Sequence, residues 1–144
     1  DREGNWYYQN SIIGRDKLKL LFSRILKFES GNYYLVTPTE KVIVKVDIAP
    51  YMIIDYEIDA QKEKIILKTN LDLSIPLDKD HKLELKKIGE EQIPFIQVRD
   101  NIEGFISRSI YYSLIEIALK QENTPSDQLI LKSFDCDFNL GEIR

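Results

Sequence analysis

The stretch from Ile12 to Val46, IIGRDKLKLLFSRILKFESGNYYLVTPTEKVIVKV, carries the reading on which the fold turns. Leu18, Leu21, Phe22, Ile25 and Leu26 recur at i, i+3, i+4, i+7 and i+8, the spacing that lines one face of an α-helix. Arg15, Asp16, Lys19, Ser23 and Lys27 take the other face. Gly31 can reverse the chain past a helix end at little steric cost, and Lys27 suits the negative end of the helix dipole, so the helix is expected to run to Glu29 or Ser30. Tyr33 to Val36 then reads as a strand, Thr37 to Glu40 as a turn with Pro38 at its second position, and Lys41 to Asp47 as the returning strand. Val42, Val44 and Val46 share one face of that return and are the expected floor for the helix. Upstream, Gly4-Asn5 before Trp6-Tyr7-Tyr8 reads as a turn and a short aromatic strand, with Trp6 taken as core.

The chain has 144 residues, 43% hydrophobic and 31% charged, enough to bury a sizeable core in one domain or two small ones. A net charge of -4 and a pI near 5.1 disfavour any mode that neutralises many phosphates, so nucleic acid is not the expected partner. No apolar run of ~18 residues and no basic-then-apolar leader marks a membrane span or an export signal. The single Cys136 cannot form an internal disulfide, which fits a cytoplasmic setting. The chain opens at Asp1 rather than methionine, which leaves room for residues upstream.

Ile48-Ala49-Pro50 interrupts the strand pattern, and Pro50 cannot donate to a ladder, so a boundary is placed there: an N-terminal strand-helix-hairpin unit over 1–48 and an antiparallel sheet with one long helix over 49–144. Met52 to Ile58, Lys64 to Thr69, Leu71 to Leu77, Lys82 to Ile88 and Pro94 to Arg99 are strand candidates whose even spacing suggests an antiparallel meander. A long helix is expected over Asn101 to Gln121 with two apolar stripes, one through Tyr111, Leu114, Ile115, Ala118 and Leu119, the other through Phe105, Ile106, Ile110, Leu114 and Ile117. Leu129 to Leu140 reads as one returning strand.

The two helices superpose at an offset of 93 positions, where Ile13, Arg15, Leu21, Leu26 and Lys27 meet Ile106, Arg108, Leu114, Leu119 and Lys120. That suggests an internal duplication of a helix-plus-strands unit. Arg15 near a helix start is disfavoured by the dipole unless it meets a carboxylate or a bound anion; Glu40 or Asp47 could supply the former. Arg108 lies past the first turn if its helix starts at Asn101, which weakens the same argument there.

Gly4-Asn5-Trp6-Tyr7-Tyr8, Ile13-Gly14-Arg15, the run from Leu20 to Leu26, and above all Tyr33-Tyr34-Leu35-Val36-Thr37-Pro38-Thr39-Glu40-Lys41 resemble the bacterial, mainly proteobacterial, family called domain of unknown function 1285. Ala49-Pro50-Tyr51, Thr69-Asn70, Asp80-His81, Val98-Arg99, Ile106-Ser107-Arg108 and Tyr111-Tyr112 extend the resemblance along nearly the whole chain. It implies a two-part α+β protein with a repeated motif, its second part superficially similar to a pleckstrin-homology fold, and a role in ligand binding or signalling at the interface between the parts. Ile12 stands where the family usually has proline, and Lys132-Ser133-Phe134 replaces a Trp-Ser-Gly pattern, although Ser133, Phe138, Leu140 and Gly141 still fit.

Motifs for known chemistry are few: there is no nucleophile elbow, phosphate-binding glycine loop, Cys pair or His pair. Asp78, Asp80 and His81 could offer metal ligands, but a lone histidine in a charged turn more often holds a loop, and no metal or cofactor is expected. Asp135, Asp137, Asn139 and Gly141 fail as a calcium loop because Leu140 displaces the glycine and no glutamate closes the twelfth position. The residues favour a cytoplasmic, non-enzymatic ligand-binding or regulatory module. Its site is expected between the halves, lined by Arg15, Thr37, Glu40, Lys41, Arg99, Arg108 and Tyr112, with a small anionic ligand or a protein partner. One alternative is a small enzyme with Glu40 or His81 as general base and Arg15 or Arg108 holding an anionic group. The other is an interaction module that offers its C-terminal helix to a partner.

Overall fold

The structure, a computed structural model, describes residues 6–8, 11–12, 25–36, 38, 41–46, 48–99, 101–121 and 128–142. Strands β1 (Trp6–Tyr8), β2 (Ser11–Ile12), β3 (Leu26–Glu29), β4 (Asn32–Val36) and β5 (Lys41–Val46) form one sheet in the order β2-β1-β5-β4-β3. The expected aromatic strand and the Tyr33 to Val46 hairpin are present, with Tyr33 opposite Val44 and Leu35 opposite Val42. The end of the expected first helix is a correction: Leu26–Glu29 is strand, paired antiparallel with β4. Leu26 is buried, Lys27 exposed, Phe28 half-buried and Glu29 exposed, a period of two that continues an apolar helical stripe without a break. Ser30 (φ 51°) and Gly31 (φ 83°) then make a two-residue loop with both central residues left-handed, the turn that suits the twist of a hairpin rather than a helix cap. The rest of that helix, with Arg15, lies outside the described residues.

The larger sheet is built from two three-stranded meanders. The first is β6 (Tyr51–Asp59), β7 (Lys64–Thr69) and β8 (Ser74–Pro76); the second is β9 (Leu83–Ile88), β10 (Glu91–Arg99) and β11 (Ile102–Ile106). They join in the order β8-β7-β6-β11-β10-β9, and β11 runs parallel to β6, so the sheet is mixed and the single antiparallel meander expected from the spacing is not what forms. Gly104 permits the join. It stands opposite Tyr51, and a Cβ there would lie 3.0 Å from Tyr51 Cβ and 3.2 Å from Tyr51 O. Only residues 77–82 connect the outer strands β8 and β9, which a flat sheet would hold about 24 Å apart. Turn bonds from Asp78 N to Pro76 O and from His81 N to Asp78 O shorten that link further. The sheet therefore curls, and Leu77 and Leu83 from its two edges join one hydrophobic cluster.

The run Leu71 to Leu77 is strand only at β8, because the Thr69 hydroxyl accepts the N–H groups of Leu71 (3.1 Å) and Leu73 (3.0 Å) and holds a tight corner instead. Asn70 completes it by accepting the Met52 N–H at 3.1 Å.

The second helix, α1 (Arg108–Lys120), begins seven residues later than expected. Ile102 to Ile106 is strand β11, buried on both faces, and such a run cannot be told from a buried helix by periodicity. Ser107, still extended, donates its N–H to Ile53 O at 3.2 Å, and its carbonyl accepts the first helical bond from Tyr111 N. The buried stripe of α1 is Ile110, Leu114 and Ala118, flanked by half-buried Tyr111, Ile115 and Ile117, while Leu119 is exposed. Leu129 to Leu140 is a hairpin rather than one strand: β12 (Gln128–Ser133) turns through Phe134 (φ 51°) and Asp135 (φ 61°) into β13 (Cys136–Glu142). Laid over the first unit, Leu119 and Lys120 are helical where Leu26 and Lys27 are strand.

Helix α1 and the β12–β13 hairpin fill the concave face of the curled sheet, burying Leu129, Leu131, Phe138 and Leu140 against Ile53, Ile65, Ile96 and Ile106. Leu26, Leu35 and Val44 of the first sheet belong to the same cluster, so the two sheets share a core. Ala49, Ile93, Phe95 and Phe105 form a smaller cluster on the opposite face.

Candidate functional site

Arg108 is the first residue of α1, closer to the helix start than the sequence suggested, and its Nη2 donates to Glu91 Oε1 at 3.0 Å on the surface. The strand β10 supplies Glu91, Gln92 and Pro94, and the first turns of α1 supply Arg108, Tyr111 and Tyr112; together they line a cleft of about 220 Å³. Tyr112 is 56% exposed with its ring 6.1 Å from that of Tyr111. The Tyr111 hydroxyl donates to Leu140 O, and its pKa is raised by burial first and by Tyr112 second. Gln92 also lines a second cleft of about 770 Å³, walled by Leu83, Leu85 and Lys87 of β9 on one side and by Asn139 and Gly141 of β13 on the other. The two clefts adjoin at Gln92, their one shared lining residue, and together they make up the groove between the start of α1 and the edge strand β9. On its other flank Arg108 borders a cleft of about 350 Å³ with Met52, Phe105, Ser107 and Ser109.

The remaining expected site residues fall elsewhere. Arg99, at the far end of β10, donates from Nη2 to Leu26 O at 3.1 Å, and Asn101 donates to Phe28 O at 3.0 Å, so this corner clamps the first sheet to the second. Eight residues of strand separate Arg99 from Glu91, the partner of Arg108, a distance of about 27 Å. Lys41 is exposed on β5, paired with Glu29 and 4.6 Å from the centre of the Tyr34 ring; the bond to Glu29 raises its pKa. Arg15, Thr37 and Glu40 lie outside the described residues. The structure thus brings Arg108 and Tyr112 together and sets Arg99 and Lys41 apart from them. Near the sheet junction, Tyr33 has its pKa pushed up to about 12, by burial first and by the Glu103 carboxylate second. Glu103 in turn pairs with Lys86, whose ammonium sits 4.8 Å from the Phe95 ring centre.

His81 Nδ1 lies 2.8 Å from Asp78 Oδ1, which also accepts the Asp80 N–H, so these residues hold the β8–β9 connection. Among the described residues no three His, Cys, Asp or Glu side chains cluster with metal-binding geometry. Cys136 packs half-buried against the core, and Asn139 spends its Oδ1 on the N–H of Gly141 at 2.9 Å. Two polar residues that periodicity could not reveal prove structural. Ser133, fully buried, accepts the Ile65 N–H at 3.0 Å, and Gln121 brackets Lys132 by donating to its carbonyl (3.0 Å) and accepting its N–H (2.8 Å). Gln92, which joins the two clefts, carried no signal at all. No helix of the described residues is long and apolar enough to cross a membrane.

A mixed, curled sheet filled by one helix and a hairpin, joined to a small antiparallel sheet, defines a two-part α+β protein. The chain belongs to the DUF1285 family. The model described as "Domain of unknown function (DUF1285), N-terminal domain" matches residues 1–49, and that described as "Protein of unknown function (DUF1285), C-terminal domain" matches residues 50–140. It is similar to the crystal structure of a DUF1285 family protein from Silicibacter pomeroyi DSS-3, with 30% identity and a TM-score of 0.83 over 99% of this chain and 78% of that one. A DUF1285 family protein from Shewanella baltica OS155 shares the fold at 24% identity and a TM-score of 0.61, over 80% of this chain and 87% of that one. No curated protein matches the chain.

Proposed function

We propose that the protein is a non-enzymatic binding and regulatory module whose ligand surface is the groove starting at Arg108 and Tyr112. The observation that carries this is that Gln92 lines both the tyrosine-rimmed cleft, where Arg108 is paired with Glu91, and the larger cleft between β9 and β13. Arg108 offers a planar set of donors already oriented by Glu91, an arrangement that suits a carboxylate or phosphate competing for the guanidinium. A cytoplasmic setting is part of the proposal, supported by the lone Cys136. So is the repeated unit, since Ile106-Ser107-Arg108 stands at a strand-to-helix transition and Ile13-Gly14-Arg15 follows strand β2.

A thermal-shift screen against anionic metabolites and nucleotides tests the reading, comparing wild type with Arg108→Ala and Arg15→Ala. A ligand at a hundred times its dissociation constant stabilises by about 2.7 kcal/mol, several degrees in a chain of this size. The expected result is a hit lost in Arg108→Ala; loss only in Arg15→Ala would move the site out of the groove. A second reading, a protein partner on α1, is favoured by Tyr112 and Leu119, one heptad apart and 56% and 62% exposed.

A further inference from the structure

The two outer strands of the large sheet are finished differently. Strand β8 has three residues and ends on Pro76, a short, proline-blunted edge of the kind that resists further pairing. Strand β9 has six residues, Leu83–Ile88, and pairs only with β10 among the described strands.

The ladder fixes which of its backbone groups point outward. Gln97 donates its N–H to Lys82 O at 2.9 Å, so Lys82 and Gln97 form a hydrogen-bonded antiparallel pair. Such pairs alternate, which makes Glu84↔Phe95, Lys86↔Ile93 and Ile88↔Glu91 the hydrogen-bonded ones and turns the N–H and C=O of Leu83, Leu85 and Lys87 away from β10. Pro94, which has no N–H, stands opposite Leu85 in a pair that needs none. The outward groups of Leu83, Leu85 and Lys87 have no partner among the described residues.

These three residues line the 770 Å³ cleft. The neighbouring strand β13 does not fill it. Its register with β12 shifts opposite Gln128 and Ile130, and the bulge is fixed by Asn139 Oδ1 accepting the Gly141 N–H and by the Tyr111 hydroxyl donating to Leu140 O. The Gly141 N–H and Leu140 O of β13 are thus engaged elsewhere, and although β13 lies beside β9, with Gly141 against the Leu85 side chain, no ladder joins the two strands.

We infer that the groove is a strand-addition site, in which Leu83, Leu85 and Lys87 pair with one extended peptide segment of a partner protein. The inference rests on the groove being the ligand surface and names what occupies its longer arm. A row of alternating donors and acceptors is matched by extended backbone, and the overhanging hairpin decides whose. A second copy paired edge to edge about a two-fold axis would bring its own β12–β13 hairpin into the same space; a lone peptide brings nothing behind it. Cross-strand neighbours set the side chains: apolar residues opposite Leu83 and Leu85, an acidic one opposite Lys87 and a basic one opposite exposed Glu84.

The probe is a capped synthetic heptapeptide with valine at the positions facing Leu83 and Leu85, lysine facing Glu84, aspartate facing Lys87 and threonine elsewhere, titrated into the full chain by calorimetry. Its control carries the same side chains with both valines N-methylated, which removes the ladder donors alone. Binding is expected to weaken at least tenfold for the control, and at least tenfold for the unmodified peptide in Lys87→Pro, a proline at an outward edge position that leaves the β9–β10 bonds intact. Lys87→Thr keeps binding within a few-fold, and each variant's thermal midpoint verifies its fold. No binding of the parent at millimolar concentration overturns the inference. So does equal binding of the N-methylated peptide, or a wild-type dimer that Lys87→Pro splits. If the peptide fails while anionic hits still depend on Arg108, strand addition falls and the binding-module reading stands; if the reverse holds, Arg108 loses its role and the strand site remains.

Discussion

Ser133 is the most deeply buried polar side chain among the described residues. Its hydroxyl is fully buried and accepts the Ile65 N–H, and the next N–H, that of Phe134, donates to Glu63 O, so the tip of the β12–β13 hairpin is tied to the β6–β7 loop at this point. Ser133→Ala leaves a buried donor unmet and is expected to cost about 1–3 kcal/mol in denaturant-unfolding experiments. Tyr33 gives a pH signature. Its folded pKa of about 12 exceeds the ordinary value of 10.0, so the unfolded chain ionises first as pH rises. The contribution is therefore complete below pH 10 and lost between 10 and 12, by about 1–2 kcal/mol after allowing for partial exposure. Unfolding measured at pH 9 and pH 11.5 should show that loss, and Tyr33→Phe should remove this share of it. At this scale the sequence was only partly legible. Ser133 and Arg99 stood out through family resemblance, yet both serve to hold elements together, and nothing in the pattern marked Gln92 or Gln121, whose roles come from partners distant along the chain.

At the scale of elements, the parallel pairing of β6 and β11 is the decisive step, and Gly104 is its condition. Gly104→Ala puts a methyl group against the Cβ and carbonyl of Tyr51, at a buried position of the large sheet. It is expected to destabilise by about 1–3 kcal/mol as the strands are forced apart, read as a lower denaturation midpoint with an unchanged slope. Strands with alternating burial, such as Lys64–Thr69, were readable to the residue, because one face is wet and the other dry. Ile102–Ile106 was read as helix because burial on both faces erases that alternation. Leu26–Glu29 was read as helix because Leu26 completed a stripe with the correct phase and Gly31 stood where a helix stop was expected. The left-handed pair Phe134-Asp135 hid a hairpin inside what looked like one strand, since neither residue is a usual signal for that turn.

For the whole molecule, the shared cluster of Leu26, Leu35 and Val44 with Ile96 and Ile102, reinforced by Arg99 and Asn101 on the β3 carbonyls, makes the two sheets one cooperative unit. Leu35→Ala, a core truncation costing about 2–5 kcal/mol, should lower the midpoint of a single transition followed equally by both sheets. Two separated transitions would show independent halves. The composition anticipated a sizeable core and the Ile48-Ala49-Pro50 break a two-part chain, but the strand order was beyond reach, because which edges meet depends on the curl that the short 77–82 link imposes. That order also decides where the expected polar residues end up: it places Arg108 and Tyr112 at the mouth of the groove and sends Arg99 to the opposite end of β10. Amide chemical-shift mapping of the isotope-labelled chain against a cocktail of small carboxylates and phosphates therefore decides where ligand binds. Perturbations are expected at Arg108, Tyr112 and Gln92, extending along β9 and Gly141; a response confined to Arg99, Asn101 and Lys41, or no response at all, would overturn the proposed site.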